Sequence, residues 1–312
     1  VIQTSLNRHI IDPPQSVNPV FARHETFHPR FGWLKKGFDK AKEDPGVFLA
    51  EDAPVRLGVG KNMVRSIRYW CKVFKLLADD RPTEFGYNLL EDDGWDPFLE
   101  DPASLWLLHW NLLKPPCDAA AWHYTFNQFR RVEFSQNDLF LAVSDYGQTL
   151  KKNIAESSIN KDVNCILRMY VKQRSQTKVS EDSIDCPFTE LGLIHTAGDS
   201  KYYTFRVNQK RNLPAEIVVA ACLEYADWVG HGQRTIALSR LLYDIGSPGM
   251  VFKLPESAVC DAIERVARQW KAIALSESAG LIQFSFNEDP EVLAKDIIER
   301  YYNLRRGGNN ND

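Results

Sequence analysis

Apolar positions recur along this chain mostly at a helical period, and in a few short stretches at a strand period. The sharpest helical pattern is residues 55–77, VRLGVGKNMVRSIRYWCKVFKLL. Stepped round a helix from Lys61, Val64, Ile67, Cys71 and Phe74 share one face, which Trp70 and Leu77 extend. Lys61, Arg65, Arg68, Lys72 and Lys75 fall within about 40° of a second line. From Arg56 to Lys75 there are six bases and no acid. Solvated helix faces usually mix signs, so this stripe points to a nucleic-acid backbone or groove. Asn62, at the helix start, can read a base edge or cap the helix.

The elements around this helix predict helix-turn-helix order. A helix over 31–42 ends at Asp44-Pro45, a second follows over 46–53, and the LGVG segment turns the chain into the basic helix. Thr83 to Leu90 can form a strand and Asp93-Gly94 a turn, so residues 31–98 read as a winged helix. PASLWLLHWNLL, residues 102–113, is a buried helix at a junction, ended by Lys114-Pro115-Pro116. Downstream come a helix, a short strand over 132–134, a helix capped near Ser135, a helix over 153–170, and a hairpin round Gly198-Asp199. Helices after Pro214, over 233–245 and over 256–271 lead to strands 273–275 and 281–286 and a closing helix, 290–302. The predicted fold class is α+β, mainly α with small β-hairpins, in tandem winged-helix-like domains. The expected divisions are an arm (1–20), a DNA-binding domain (21–116), a middle domain (117–213), a C-terminal domain (214–304) and a disordered tail (305–312).

Composition narrows the picture. The chain has 312 residues, 44% hydrophobic and 25% charged, with a formal net charge of −3, so any DNA contact must be a local patch on a neutral or acidic body. Six scattered cysteines without CxxC spacing argue for buried thiols rather than zinc. VIQTSLNRHIIDPP lacks the apolar core of a signal peptide, and no run is long enough to span a membrane, so a cytoplasmic protein without membrane contact is expected.

Chemistry can come from two places. His24, Glu25, His28 and Arg30 crowd the segment before the first helix. Together they can activate water and stabilise a pentavalent phosphate, or simply order the arm through hydrogen bonds. From Asp79 to Asp101 there are nine acids and one base, Arg81. Asp92, Asp93 and Asp96, with Glu100 and Asp101 nearby, can hold Mg²⁺ or Mn²⁺, or serve as turn and cap residues. GVGKN lacks the spacing of a phosphate loop, so no nucleotide is expected. His109 reads as a core histidine, and Lys253 in SPGMVFKL can reach a phosphate.

HETFHPRFGWLKKG, APVRLGVGKNMVRSIRYW, the run from Asp96-Pro97 to Trp110, and SPGMVFKL resemble landmarks of a bacterial domain-of-unknown-function family of DNA phosphorothioation gene clusters. Its described member type is the DNA nickase of the single-strand phosphorothioation (Ssp) system. The resemblance spans nearly the whole chain. It implies a DNA-nicking endonuclease in antiphage defence, working with an SspA-like cysteine desulfurase, an SspC-like ATPase and an SspD-like sulfur-activating protein. The alternative is a non-catalytic DNA-binding adaptor that recruits the sulfur-transfer machinery. A homodimer is a further expectation.

Overall fold

A computed structural model describes residues 19–150, 153–172, 186–198, 201–230, 232–278 and 280–308. Most of the expected arm, the Asp199 half of the hairpin turn and the last four residues lie outside these.

The N-terminal unit contains α1 (Trp33–Glu43), a 3₁₀ turn (Val47–Leu49), α2 (Ala53–Leu57) and α3 (Lys61–Val73). Gly58, with φ of 64°, closes α2 in a left-handed conformation and turns the chain into α3. The helix expected over 46–53 is therefore two shorter pieces. Helix α1 crosses α3 closely at Gly37, where a Cβ would stand 2.6 Å from Cys71 Sγ and 2.7 Å from Ile67 Cγ2. A small hairpin follows, β1 (Leu77–Ala78) with β2 (Arg81–Pro82).

The strand predicted over 83–90 is instead helix α4 (Glu84–Leu90). Phe85, Tyr87 and Leu89 alternate, but Thr83 Oγ1 accepts the Gly86 N–H at 3.0 Å and Glu84 suits the positive end of a first turn. The hairpin of this unit therefore has only two residues per strand.

Helix α5 (Pro102–Leu113) is apolar on every side and buried from Ala103 to Leu113. It is the spine of the molecule. His109 reaches Tyr170 Oη at 2.8 Å and the Val251 carbonyl at 3.0 Å, while Trp110 Nε1 donates to Glu224 at 2.6 Å.

The next two units share one sheet order, the last strand lying between the other two. The first runs α6 (Ala120–Asn127), β3 (Glu133–Ser135), α7 (Gln136–Thr149), α8 (Glu156–Tyr170), β4 (Ile194–Ala197) and β5 (Tyr202–Phe205), its antiparallel sheet ordered β3-β5-β4. Ser135 and Asp138 form a capping box at α7. The second runs α9 (Ala215–Gly230), β6 (Thr235–Ala237), α10 (Leu238–Tyr243), α11 (Pro248–Phe252), α12 (Glu256–Ala267), β7 (Ile273–Ser278) and β8 (Leu281–Phe286), with order β6-β8-β7. The class is α+β, as expected.

Helix α13 (Pro290–Gly308) packs on α9 and returns to the first unit. Lys295 pairs with Glu84, Arg305 Nη1 meets Asp101 at 2.8 Å, and Arg306 donates to the carbonyls of Asp93 and Gly94. The tail expected to be disordered from 305 is thus helical through Gly308. Lys253 is also placed differently: it is buried over the Phe205 ring at 4.4 Å and donates to the Phe126 carbonyl at 2.5 Å. It cannot reach a phosphate there. Among the described residues no helix is long and apolar enough to cross a membrane.

Candidate nucleic-acid interface

Helix α3 buries Val64, Ile67, Trp70, Cys71 and Val73 against the core, which turns the opposite stripe outward. That stripe does not project. It forms one wall of a cleft of about 1140 Å³, whose other sides come from residues 20–25, 48–54, 79–80 and Asp118. Arg23, Lys61, Arg65, Arg68 and Lys72 line it, and so do Glu25, Glu51, Asp79, Asp80 and Asp118. The stripe is free of acids in sequence but not in space. Arg68 pairs bidentately with Asp80 at 2.7 and 2.6 Å, Lys72 lies 3.2 Å from Asp118, and Arg65 lies 3.6 Å from Glu25. Arg23 and Lys61 are exposed and have no acidic partner among the described residues.

Two expected members of the stripe behave differently. Helix α3 ends at Val73, and Lys75 adopts a left-handed backbone with φ of 60°. Its ammonium turns inward, donating to the Lys114 carbonyl at 2.9 Å and to that of Asn111. Burial pushes its pKa down to about 8. Lys75 is therefore a structural tie and does not belong to the cleft. Asn62 is exposed on the first turn, outside the residues lining the cleft; Gly60 occupies the cap position, so Asn62 does not cap.

The HETFHPR residues divide. His24 is fully buried, its Nε2 2.8 Å from Asp162 Oδ1 on α8, within rings of Trp70, Trp122 and Tyr69. Burial raises the Asp162 carboxyl, while the bonds from His24 and the Ala22 N–H pull the other way. His28 is buried and its Nδ1–H donates to the Pro29 carbonyl at 3.2 Å. The Arg30 guanidinium lies against the Phe27 and Trp33 rings at 5.7 and 5.2 Å. Only Glu25 of the four reaches the cleft. His24, His28 and Arg30 order the segment, and none of them lines the cleft.

The acidic trio does not converge on a metal either. Asp96 is buried and consumed: Oδ1 accepts the Glu100 N–H at 2.9 Å, and Oδ2 accepts the Asp101 N–H and the Ser104 hydroxyl at 2.9 and 2.6 Å. This carboxylate fixes the entry to α5. Asp92 pairs with Lys35 at 2.7 Å, which holds its carboxyl below the usual range. Asp93 stays exposed. No group of three or more His, Cys, Asp or Glu side chains among the described residues is arranged to hold a metal.

Sequence reasoning overlooked Arg23, Tyr69, Asp118 and Asp162. Tyr69 lines the cleft yet is 9% exposed, and burial pushes its phenol well above the usual range, so it stays neutral. No motif or spacing in the sequence marks these four, but the backbone around the cleft is unusual. Eight non-glycine residues have positive φ among those described, and six of them (Ala22, Glu25, Thr26, Lys75, Asp79, Asp80) flank α3. Such conformations cost about 1–3 kcal/mol each and collect at functional sites.

A family model described as a protein of unknown function (DUF4007) matches residues 21–302. A search of curated proteins found no match. Two solved structures are similar over 93% of this chain and 89% of their own. One, described as magnesium ion-bound SspB, is 39% identical with a TM-score of 0.85. The other, SspB, is 38% identical with a TM-score of 0.84.

Proposed function

The chain belongs to the DUF4007 family, and from that membership and the geometry of the cleft we propose that it grips DNA by the phosphate backbone and nicks one strand for a phosphorothioation system. The single observation that carries this reading is the cleft wall. Five cations stand there, Arg23 and Lys61 with no acid to displace among the described residues, and Arg65 in a loose 3.6 Å pair. Arginine forks and lysine ammonium groups suit phosphate oxygens, and desolvation by the cleft walls strengthens each contact. The likeness to SspB supports work alongside SspA-, SspC- and SspD-like proteins.

The order of the second and third units, a helix and a strand, then two helices in the second or three in the third, then two strands of which the last is central in the sheet, supports the winged-helix-like reading for both. The first unit keeps the helices and only a vestige of the wing. It is the unit we assign to DNA. Cutting falls to Glu25, beside the Arg65 guanidinium: a carboxylate can take the proton of an attacking water while the arginine stabilises charge gathering on the phosphate. Magnesium on one neighbour supports a divalent cation here too, but the described residues offer no ready cluster for one, so no step is assigned to it.

The placing of His24, His28 and Arg30 away from the cleft lining favours, as second reading, an adaptor that binds DNA without cutting it. Supercoiled plasmid incubated with the protein, with and without Mg²⁺ or Mn²⁺, separates the two. Nicking predicts open circles that Glu25→Gln reduces about 100-fold or more while DNA binding persists. Unchanged circles overturn the role of Glu25, and no circles under any condition leave the adaptor.

A further inference from the structure

Between Phe21 and Phe27 the chain makes a tight excursion, with Ala22, Glu25 and Thr26 at φ of 55°, 51° and 71°. Non-glycine residues leave this region unless the surroundings hold them there. The grip comes from the middle unit. Asp162 Oδ1 accepts the Ala22 N–H at 2.9 Å and lies 2.8 Å from His24 Nε2. One carboxylate oxygen therefore ties down both residues that bracket Arg23. Arg23 is exposed into the cleft, and Glu25, on the other side of His24, lines it as well. His24 and Asp162 are each about 1% exposed or less, so the clamp is shielded from solvent.

We infer that Asp162 is a positioning residue for the cleft: it clamps the 22–25 turn from the neighbouring unit so that Arg23 and Glu25 face the ligand. The proposal rests on the DNA reading only for what Arg23 meets in the cleft. The clamp itself is a statement about the free protein. It also gives α8 a use, since the third helix of the middle unit supplies the first unit with its anchor rather than meeting DNA.

The test uses the full chain with Asp162→Asn, Asp162→Ala and, should the alanine variant not melt cooperatively, Asp162→Ser. Asn keeps an oxygen for both donors; Ala and Ser do not reach them. Trypsin cleavage at the Arg23–His24 bond, read by mass spectrometry, should accelerate about tenfold or more in the Ala or Ser variant and stay near wild type in Asn, since cleavage follows the population of the opened segment. DNA affinity should fall about tenfold in the Ala or Ser variant, and combining it with Arg23→Ala should cost little beyond Arg23→Ala alone. An unchanged trypsin rate overturns the clamp. Additive losses overturn its action through Arg23, since a merely structural defect would add. If the wild-type protein binds no DNA, the functional reading fails while the trypsin arm still decides the clamp.

Discussion

At residue scale, the chemistry of single side chains is set by what they meet in space. His109 shows this most clearly. The Val251 carbonyl can only accept, so Nε2 carries the proton, and Nδ1 must accept from the Tyr170 hydroxyl. Burial pushes its pKa down to about 3 from 6.5. The folded state thus refuses a proton that the unfolded chain takes up, so this residue's contribution to stability falls as pH drops from about 6.5 towards 3. His109→Phe should cost about 1–3 kcal/mol at pH 7, by orphaning both partners. It should also flatten the dependence of Tm on pH between 6.5 and 4, as thermal melts of both proteins would show. The sequence placed this histidine in the core correctly, because Leu108 and Trp110 flank it in an unbroken apolar run. It misplaced Lys75, because the end of α3 carries no glycine or proline to announce it. A wheel drawn past Val73 keeps counting residues as helical where the backbone has already turned left-handed.

At element scale, α3 was legible because its two stripes repeat at the helical period and a glycine turn precedes it. Helix α4 was not, because Phe85, Tyr87 and Leu89 mimic a strand while the deciding contacts are the Thr83 cap and the approach of Gly86 to the Leu76 carbonyl. The seating of α3 depends on Gly37 of α1. A methyl group there would meet Cys71 Sγ at 2.6 Å and Ile67 at 2.7 Å, both buried and neither able to yield far. Gly37→Ala is therefore expected to destabilise by about 1–3 kcal/mol despite its better helix propensity. Urea unfolding should show a lower midpoint with an unchanged slope.

At the scale of the molecule, a chain of net charge −3 gathers five of its 38 Lys and Arg residues along one cleft and surrounds them with acids brought from remote positions. Asp80, Glu25 and Asp118 all lie outside α3, so no reading of that helix alone could show its charge compensated. The same holds for Asp162, which reaches the cleft's rim from another unit. Helices α5 and α13 make this arrangement one body, the first as a buried spine and the second by carrying Arg305 and Arg306 back to the α4–α5 connection.

The central claim is that DNA phosphates occupy the cleft at the exposed end of the stripe. The most direct test is the salt dependence of DNA affinity for wild type, Arg23→Ala/Lys61→Ala and Lys75→Met. Each lost phosphate contact should reduce the slope of log K against log salt by about 0.9. The double variant is predicted to lose about two such steps without a change in Tm, whereas Lys75→Met should keep the slope and lower Tm. A double variant with the wild-type slope would contradict the account.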